Sequence, residues 1–179
     1  MEIKRIFLIG FMGSGKTTLG RNLANAMKWR FIDLDHYVEE KAGMSVSDIF
    51  VTRGESEFRE LERVALGELL SLENVVVSTG GGTPCFFYNL ERMNQGGLTI
   101  YLKLPAEVLQ LRLEHGKLSR PLVAQKSTNE LLVYIKEKLA ERSVYYEKSK
   151  IVADAEVLST EGYLTIIKTT QSLGQQGLI

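Results

Sequence analysis

Ile6-Phe-Leu-Ile-Gly10-Phe-Met-Gly-Ser-Gly15-Lys16-Thr17-Thr18 is the stretch that decides the fold class. It is entered by a β-branched, apolar run, Ile3 to Ile9, the pattern of a buried strand. It leaves into a segment, Lys16 to Lys28, in which Leu19, Leu23 and Met27 recur at helical spacing. Between the two, Gly10 to Thr17 matches GxxxxGK[ST] at every fixed position. A strand before and a helix after are the context that this pattern requires. Such a loop turns its backbone N–H groups, and the free amides of the helix it opens, onto phosphate. Lys16 then reaches the β- and γ-phosphates of a nucleotide, and Thr17 offers a hydroxyl to Mg²⁺. Gly13, Ser14, Gly15 and Thr18 complete the candidate nucleotide cradle.

Outward from the loop, strand and helix alternate. Phe31 to Asp33, Val75 to Ser78, Leu98 to Leu104 and Ile151 to Ala153 read as further strands. Helices are predicted over Asp35 to Lys41, Ser45 to Arg53 (N-cap Ser45 or Ser47), Glu55 to Leu72, Pro84 to Met93, Pro105 to Glu114, Thr128 to Tyr146 and Ser159 to Ser172. In the Glu55 to Leu72 helix the apolar stripe is Phe58, Leu61, Ala65, Leu69 and Leu72. His115 to Ser127 is polar and basic without a period and reads as a loop or lid; Gly174 to Ile179 reads as a frayed tail. The alternation predicts an α/β fold, a parallel sheet covered by helices on both faces. Ligands of such sheets sit at the carboxyl ends of the strands, where the glycine loops and the acidic residues of this chain fall.

A chain of 179 residues suits one domain, 1–179. Its 22 basic and 22 acidic residues balance, so no basic field for nucleic acid is evident and any anion must be bound by local placement. Cys85 is the only cysteine, which rules out an internal disulfide, fits a reducing compartment and reads as a small core or helix-start residue. The N-terminal apolar run is too short for a membrane span or a signal-peptide core, so a cytoplasmic protein without a membrane partner is expected.

Several other positions carry chemistry. Asp33 and Asp35, two residues apart at a strand end, can face the phosphates together, one for Mg²⁺ or its water and one to take a hydroxyl proton; strand-end solubilisation or helix capping by Asp35 is the alternative. Arg59, with Glu55 four residues before it and Glu62 three after, fits a solvated charge ladder, and on spacing alone this is preferred. It also fits a guanidinium fork for a substrate carboxylate, oriented by Glu62. Gly80-Gly81-Gly82 after a buried strand imply close approach of something to the backbone, a substrate or a γ-phosphate; a wide turn is the plainer reading. Arg142 lies in register with the stripe Leu132, Ile135, Leu139 and Tyr146, which fits an internal salt bridge, snorkelling of its head to water, or equally an anionic ligand. Arg120, flanked by Lys117 and Lys126, suits a lid that brings charge onto the γ-phosphate, or a solvated loop. His36 and His115 have no constellation around them and read as surface residues.

Taken in order, the loop, Asp33-Leu-Asp35, Gly54-Glu-Ser-Glu-Phe-Arg-Glu-Leu-Glu62, Ser78-Thr-Gly-Gly-Gly-Thr83, Arg120-Pro-Leu and Arg142 with Tyr145-Tyr146 resemble the shikimate kinase family, within the nucleoside-monophosphate-kinase-like P-loop folds. The resemblance runs from Ile6 to about Ala153. It implies a three-layer P-loop kinase fold with a five-stranded parallel sheet of order 2-3-1-4-5. It also implies substrate-binding helices over about 35–72 and a lid over about 115–127. The implied activity is transfer of the ATP γ-phosphate to the 3-hydroxyl of shikimate, on the route to chorismate and the aromatic amino acids, by a monomer using ATP and Mg²⁺. Among the implied roles, Asp35 binds the shikimate hydroxyls and takes the proton, and Asp33 contacts Mg²⁺ through water beside Thr17. Arg59 and Arg142 clamp the carboxylate, and Gly81, within Gly80 to Gly82, binds substrate through its backbone. Lys16 and Arg120 act on the transferring phosphate, and Arg112 lies against adenine. Unlike many family members, the stretch after the last strand, Asp154-Ala-Glu-Val-Leu158, has no basic residue, and Pro84-Cys-Phe-Phe-Tyr88 is unusually aromatic. The rival readings are a kinase for another acceptor, gluconate or a nucleoside monophosphate, and a nucleotide-binding regulatory protein that transfers nothing.

Overall fold

The structure, a computed structural model, describes residues 2–115 and 126–176. In chain order it runs β1 (Arg5–Ile9), α1 (Lys16–Met27), β2 (Arg30–Asp33), α2 (Leu34–Ala42), α3 (Val46–Thr52), α4 (Gly54–Leu69), β3 (Val75–Ser78), a 3₁₀ turn (Thr83–Cys85) and α5 (Asn89–Gly96). Then follow β4 (Leu98–Lys103), α6 (Ala106–His115), α7 (Thr128–Tyr146), β5 (Ile151–Asp154) and α8 (Thr160–Gln175). The five strands form one all-parallel sheet, β2-β3-β1-β4-β5. That is the expected order. From β1 the chain moves out to β2, back to β3, then across β1 to β4, so the direction of winding reverses at β1, where the glycine loop begins.

Alternation along the strands divides the core between the two faces of the sheet. Phe7, Ile9, Val75 and Val77 face one layer, with Leu34, Val38, Ile49, Phe58, Leu66 and Leu69 from α2, α3 and α4. Ile6, Leu8, Val76 and Ile100 face the other, with Leu23 and Ala24 of α1 and Tyr163 and Ile167 of α8. A third cluster, Phe11, Leu109, Leu113, Leu131 and Ile135, seats the glycine loop on α6 and α7.

Three expectations change. Pro84 to Met93 is not one helix. The 3₁₀ turn is followed by extended Phe86, then by Phe87 and Tyr88 at φ 50° and 55°, and α5 starts only at Asn89. The reason is tertiary: Thr83 Oγ1 donates to the buried Glu62 (2.5 Å) and Asn89 Nδ2 donates to the Thr83 carbonyl (3.1 Å), so this turn is tied to α4 and cannot wind evenly. The buried face of α4 is not wholly apolar, because Arg59 and Glu62 lie in it and Leu61 only flanks it. The tail beyond Ser172 stays helical to Gln175. Of the predicted lid, residues 116–125 lie outside the described residues.

Candidate active site

The loop after β1 has the backbone its glycines permit. Gly13 and Gly15 sit at φ 82° and 97°, the left-handed region where a side chain is strained. Lys16 folds back across it, donating to the carbonyls of Gly10 (2.8 Å) and Phe11 (2.9 Å). A cavity of about 600 Å³ opens beside it, lined by Gly13, Ser14, Gly15, Lys16, Thr17 and Thr18, and also by Arg112 and Ser159. That volume suits a ligand of nucleotide size. Arg112, from the last turn of α6, donates to the Ser14 carbonyl (3.4 Å).

At the end of β2 the acidic pair is arranged differently from two residues on one strand. Asp33 ends the strand and caps α2, its Oδ1 accepting from the Asp35 amide (3.2 Å). Asp35 is therefore in the first helical turn and is not the cap. The other oxygen of Asp33 accepts from Thr17 Oγ1 at 2.9 Å, and Ser78 Oγ lies 3.5 Å from the same hydroxyl. This groups hard oxygen donors at the mouth of the loop, as Mg²⁺ prefers. Among the described residues no cluster of three or more His, Cys, Asp or Glu could hold a metal by itself.

Asp35 has a buried Oδ1 that accepts no hydrogen bond among the described residues. Burial pushes its carboxyl up to about 6, helped by the Glu62 and Asp33 charges and opposed by Lys16 and Arg59. Glu62 is wholly buried, and desolvation raises its pKa too, although Arg59 and Thr83 pull the other way. Burial works against the Arg59 cation, but the Glu62 and Glu55 carboxylates outweigh it and hold its pKa above the ordinary value. The Arg59 side chain is only 9% exposed. Its Nη1 donates to Glu62 (2.5 Å), and its Nε and Nη2 to Glu55 (3.1 and 2.9 Å). Of the five N–H groups of a guanidinium, this leaves one on each terminal nitrogen, a pair suited to a carboxylate. The charge ladder read from the spacing therefore exists, with Arg59 and Glu62 buried as an internal brace and Glu55 at its solvated end, 57% exposed.

Arg142, on α7, is half-buried, its guanidinium 5.7 Å from the Phe11 ring centroid. Among the described residues no carboxylate lies within ion-pair range of it. Its internal partners are the Phe11 ring and the Tyr146 hydroxyl rather than a carboxylate.

The three glycines bring these groups together. They need no unusual backbone, since none of them has positive φ. They are needed for space. A Cβ on Gly80 would lie 2.6 Å from Asp35 Oδ1, one on Gly81 3.2 Å from Arg142 Nη1, and one on Gly82 2.6 Å from Arg59 Nη2. What approaches the glycines in the structure is the protein's own acid and two of its cations. Thr79 fixes the loop to β1 through the Leu8 carbonyl (3.0 Å), and Tyr146 Oη donates to the Gly81 carbonyl (2.5 Å). In the sequence Tyr146 reads as an apolar stripe position and as part of the Arg142 with Tyr145-Tyr146 motif; a buried phenol needs a partner, and that is the signal for this bond. Thr83 stands out in the sequence only as the end of the Ser78 to Thr83 motif, and Asn89 only as a position in a predicted helix. Arg120 lies outside the described residues. Cys85 is partly buried, with its thiol pushed up to about 11 by desolvation, which leaves it a poor nucleophile. His36 and His115 are exposed, as expected.

The family model for shikimate kinase matches residues 12–171. The shikimate kinase of Parabacteroides distasonis is 49% identical over 159 residues, 89% of this chain and 92% of that protein. A crystal structure of shikimate kinase from Bacteroides thetaiotaomicron superposes with a TM-score of 0.87 at 40% identity, covering 97% of this chain and 99% of that one. Shikimate kinase from Acinetobacter baumannii, solved in complex with shikimate, gives a TM-score of 0.82 at 32% identity over 99% and 96%. Similarity of this extent, along nearly the full length of relatives of the same size, means that the chain belongs to the shikimate kinase family.

Proposed function

We propose that this protein is a shikimate kinase, which transfers the γ-phosphoryl group of ATP to the 3-hydroxyl of shikimate on the route to chorismate. The observation that carries the reading is the contact of three successive glycines with an acid and two arginines. Two guanidinium groups suit the acceptor's carboxylate, and the free oxygen of Asp35 suits a hydroxyl.

In this reading Arg59 and Arg142 take the carboxylate, and the backbone of Gly80, Gly81 and Gly82 lies against the ring. The acceptor oxygen attacks the γ-phosphorus, the bond to the β–γ bridging oxygen breaks, ADP leaves, and the hydroxyl proton passes to Asp35. The loop from Gly13 to Thr18 cradles the phosphates, Lys16 neutralises charge on the γ-phosphate, and Arg112 lies against the base. Arg120 is assigned to the lid over the phosphates, 115–127. Thr17 and Asp33 would hold Mg²⁺, which supplies charge neutralisation on the phosphates. Catalysis is mainly positioning and electrostatics.

The test is ADP release with Mg²⁺-ATP alone and with shikimate, gluconate or AMP. Strong stimulation by shikimate only is expected. Stimulation by another acceptor transfers the reading to a different substrate, and ATP binding without stimulated turnover supports a regulatory protein. A monomeric cytoplasmic enzyme without a nucleic-acid partner belongs to the same proposal. Its support is the balanced charge, together with helices none of which, among the described residues, is long and apolar enough to cross a membrane. Sedimentation checks the monomer.

A further inference from the structure

Phe86 is a large apolar side chain held 37% exposed beside the acceptor site. Its ring centroid lies 4.5 Å from Arg59 Cζ, nearer than the rings of Phe58 (5.1 Å) and Phe50 (5.9 Å), which come from the helices below. Glu55 and Glu62 hold the guanidinium by its N–H edge, while a ring at this distance meets the cation through its π system. The Gly82 backbone is also close, for a Cβ there would be 2.6 Å from Nη2.

The chain takes trouble to put this ring there. Phe87 and Tyr88 both adopt positive φ, which non-glycine residues keep only where the surroundings over-determine it. The surroundings are the Asn89 amide bonded to the Phe86 carbonyl (2.9 Å), the buried Asn89 side chain bonded to Thr83, and Thr83 bonded to Glu62, itself a partner of Arg59. The strained turn and the arginine are thus two ends of one bonded chain.

We propose that Phe86 is a positioning residue for the acceptor: its ring fixes the tilt of the Arg59 guanidinium and shields it from water, so that its two remaining N–H groups meet a carboxylate. It touches no reacting atom. This rests on the proposed role of Arg59 toward shikimate.

The test is steady-state kinetics of wild type, Phe86→Leu and Phe86→Tyr, with thermal melts of each. Wild-type turnover with shikimate is read first; its absence overturns the functional reading and this role with it. Given turnover, Phe86→Leu should raise KM for shikimate about 3- to 10-fold, with kcat and KM for ATP within about twofold of wild type. Phe86→Tyr, which keeps the ring face, should restore KM to within about twofold. Phe86→Leu in an Arg59→Lys background should add little further, because the planar cation that the ring orients is gone. An unmoved shikimate KM in Phe86→Leu overturns the role of Phe86 alone. A loss shared by kcat and the ATP KM together with a lowered melting temperature also overturns it, since the loop would then merely support the fold.

Discussion

Asp35 is under two opposed demands. Its carboxyl stands at about 6 in the folded chain against 3.8 for the free side chain, chiefly through burial. Between those values the folded state holds a proton that the unfolded state has released, so this group lowers stability as pH rises from about 4 to above 6. At pH 8 the ionised, buried carboxylate costs on the order of 1–3 kcal/mol. Asp35→Asn removes that charge. In urea titrations the variant should be more stable than wild type at pH 8, with the gap shrinking toward pH 4.5. Its phosphoryl transfer should fall about 10²- to 10⁴-fold, the usual contribution of a positioned base. Equal stability at pH 8 would contradict the burial argument. In the wild type, kcat/KM for the acceptor should decline below about pH 6, as Asp35 regains its proton.

At the scale of the element, the segment after β3 sets the geometry of the site. Gly82→Ala inserts a methyl 2.6 Å from the Arg59 fork. It should raise the acceptor KM about 10-fold or more through displacement of that fork, with the ATP KM unchanged; initial-rate kinetics with each substrate varied separate the two. A different end of the site depends on α7, which carries Arg142. Its first turn is held by a capping box, Ser127 Oγ with the Glu130 amide and Glu130 with the Ser127 amide. Ser127→Ala should cost about 1 kcal/mol, read as a lower denaturation midpoint. These elements also separate what the sequence disclosed from what it withheld. Lys16, Thr17 and the loop glycines were legible because their chemistry is fixed by contiguous spacing. The triple glycine announced close approach but not what approaches. Spacing could not tell a surface ladder from the brace around Arg59, because Glu55 and Glu62 recur at the same intervals in both; burial decides it, and burial is a tertiary fact. The break in the predicted Pro84 to Met93 helix was hidden for the same reason, since Glu62 and Thr83, 21 residues apart, impose it.

At the scale of the molecule, the helix layers on the two faces of the sheet share the same strands. The acceptor-side helices α2, α3 and α4 pack on Phe7, Ile9, Val75 and Val77. The helix of the phosphate loop packs on Ile6, Leu8 and Val76, the alternate residues of the same strands. Loosening either layer uncovers one face of a parallel sheet that is stable only when covered on both. The chain should therefore unfold as one cooperative domain. Trp29, the only tryptophan, packs with the loop-side layer, so its fluorescence reports on that layer, whereas far-UV circular dichroism reports on the whole. Both signals should give one coincident transition. ATP at about a hundred times its dissociation constant should shift both together, by about 2.7 kcal/mol. Shikimate, bound on the opposite layer, should move Trp29 fluorescence as far as it moves the dichroism. Separate midpoints, or a shikimate shift absent from the tryptophan signal, would mean that the two layers are independent units and that the sheet does not couple the sites.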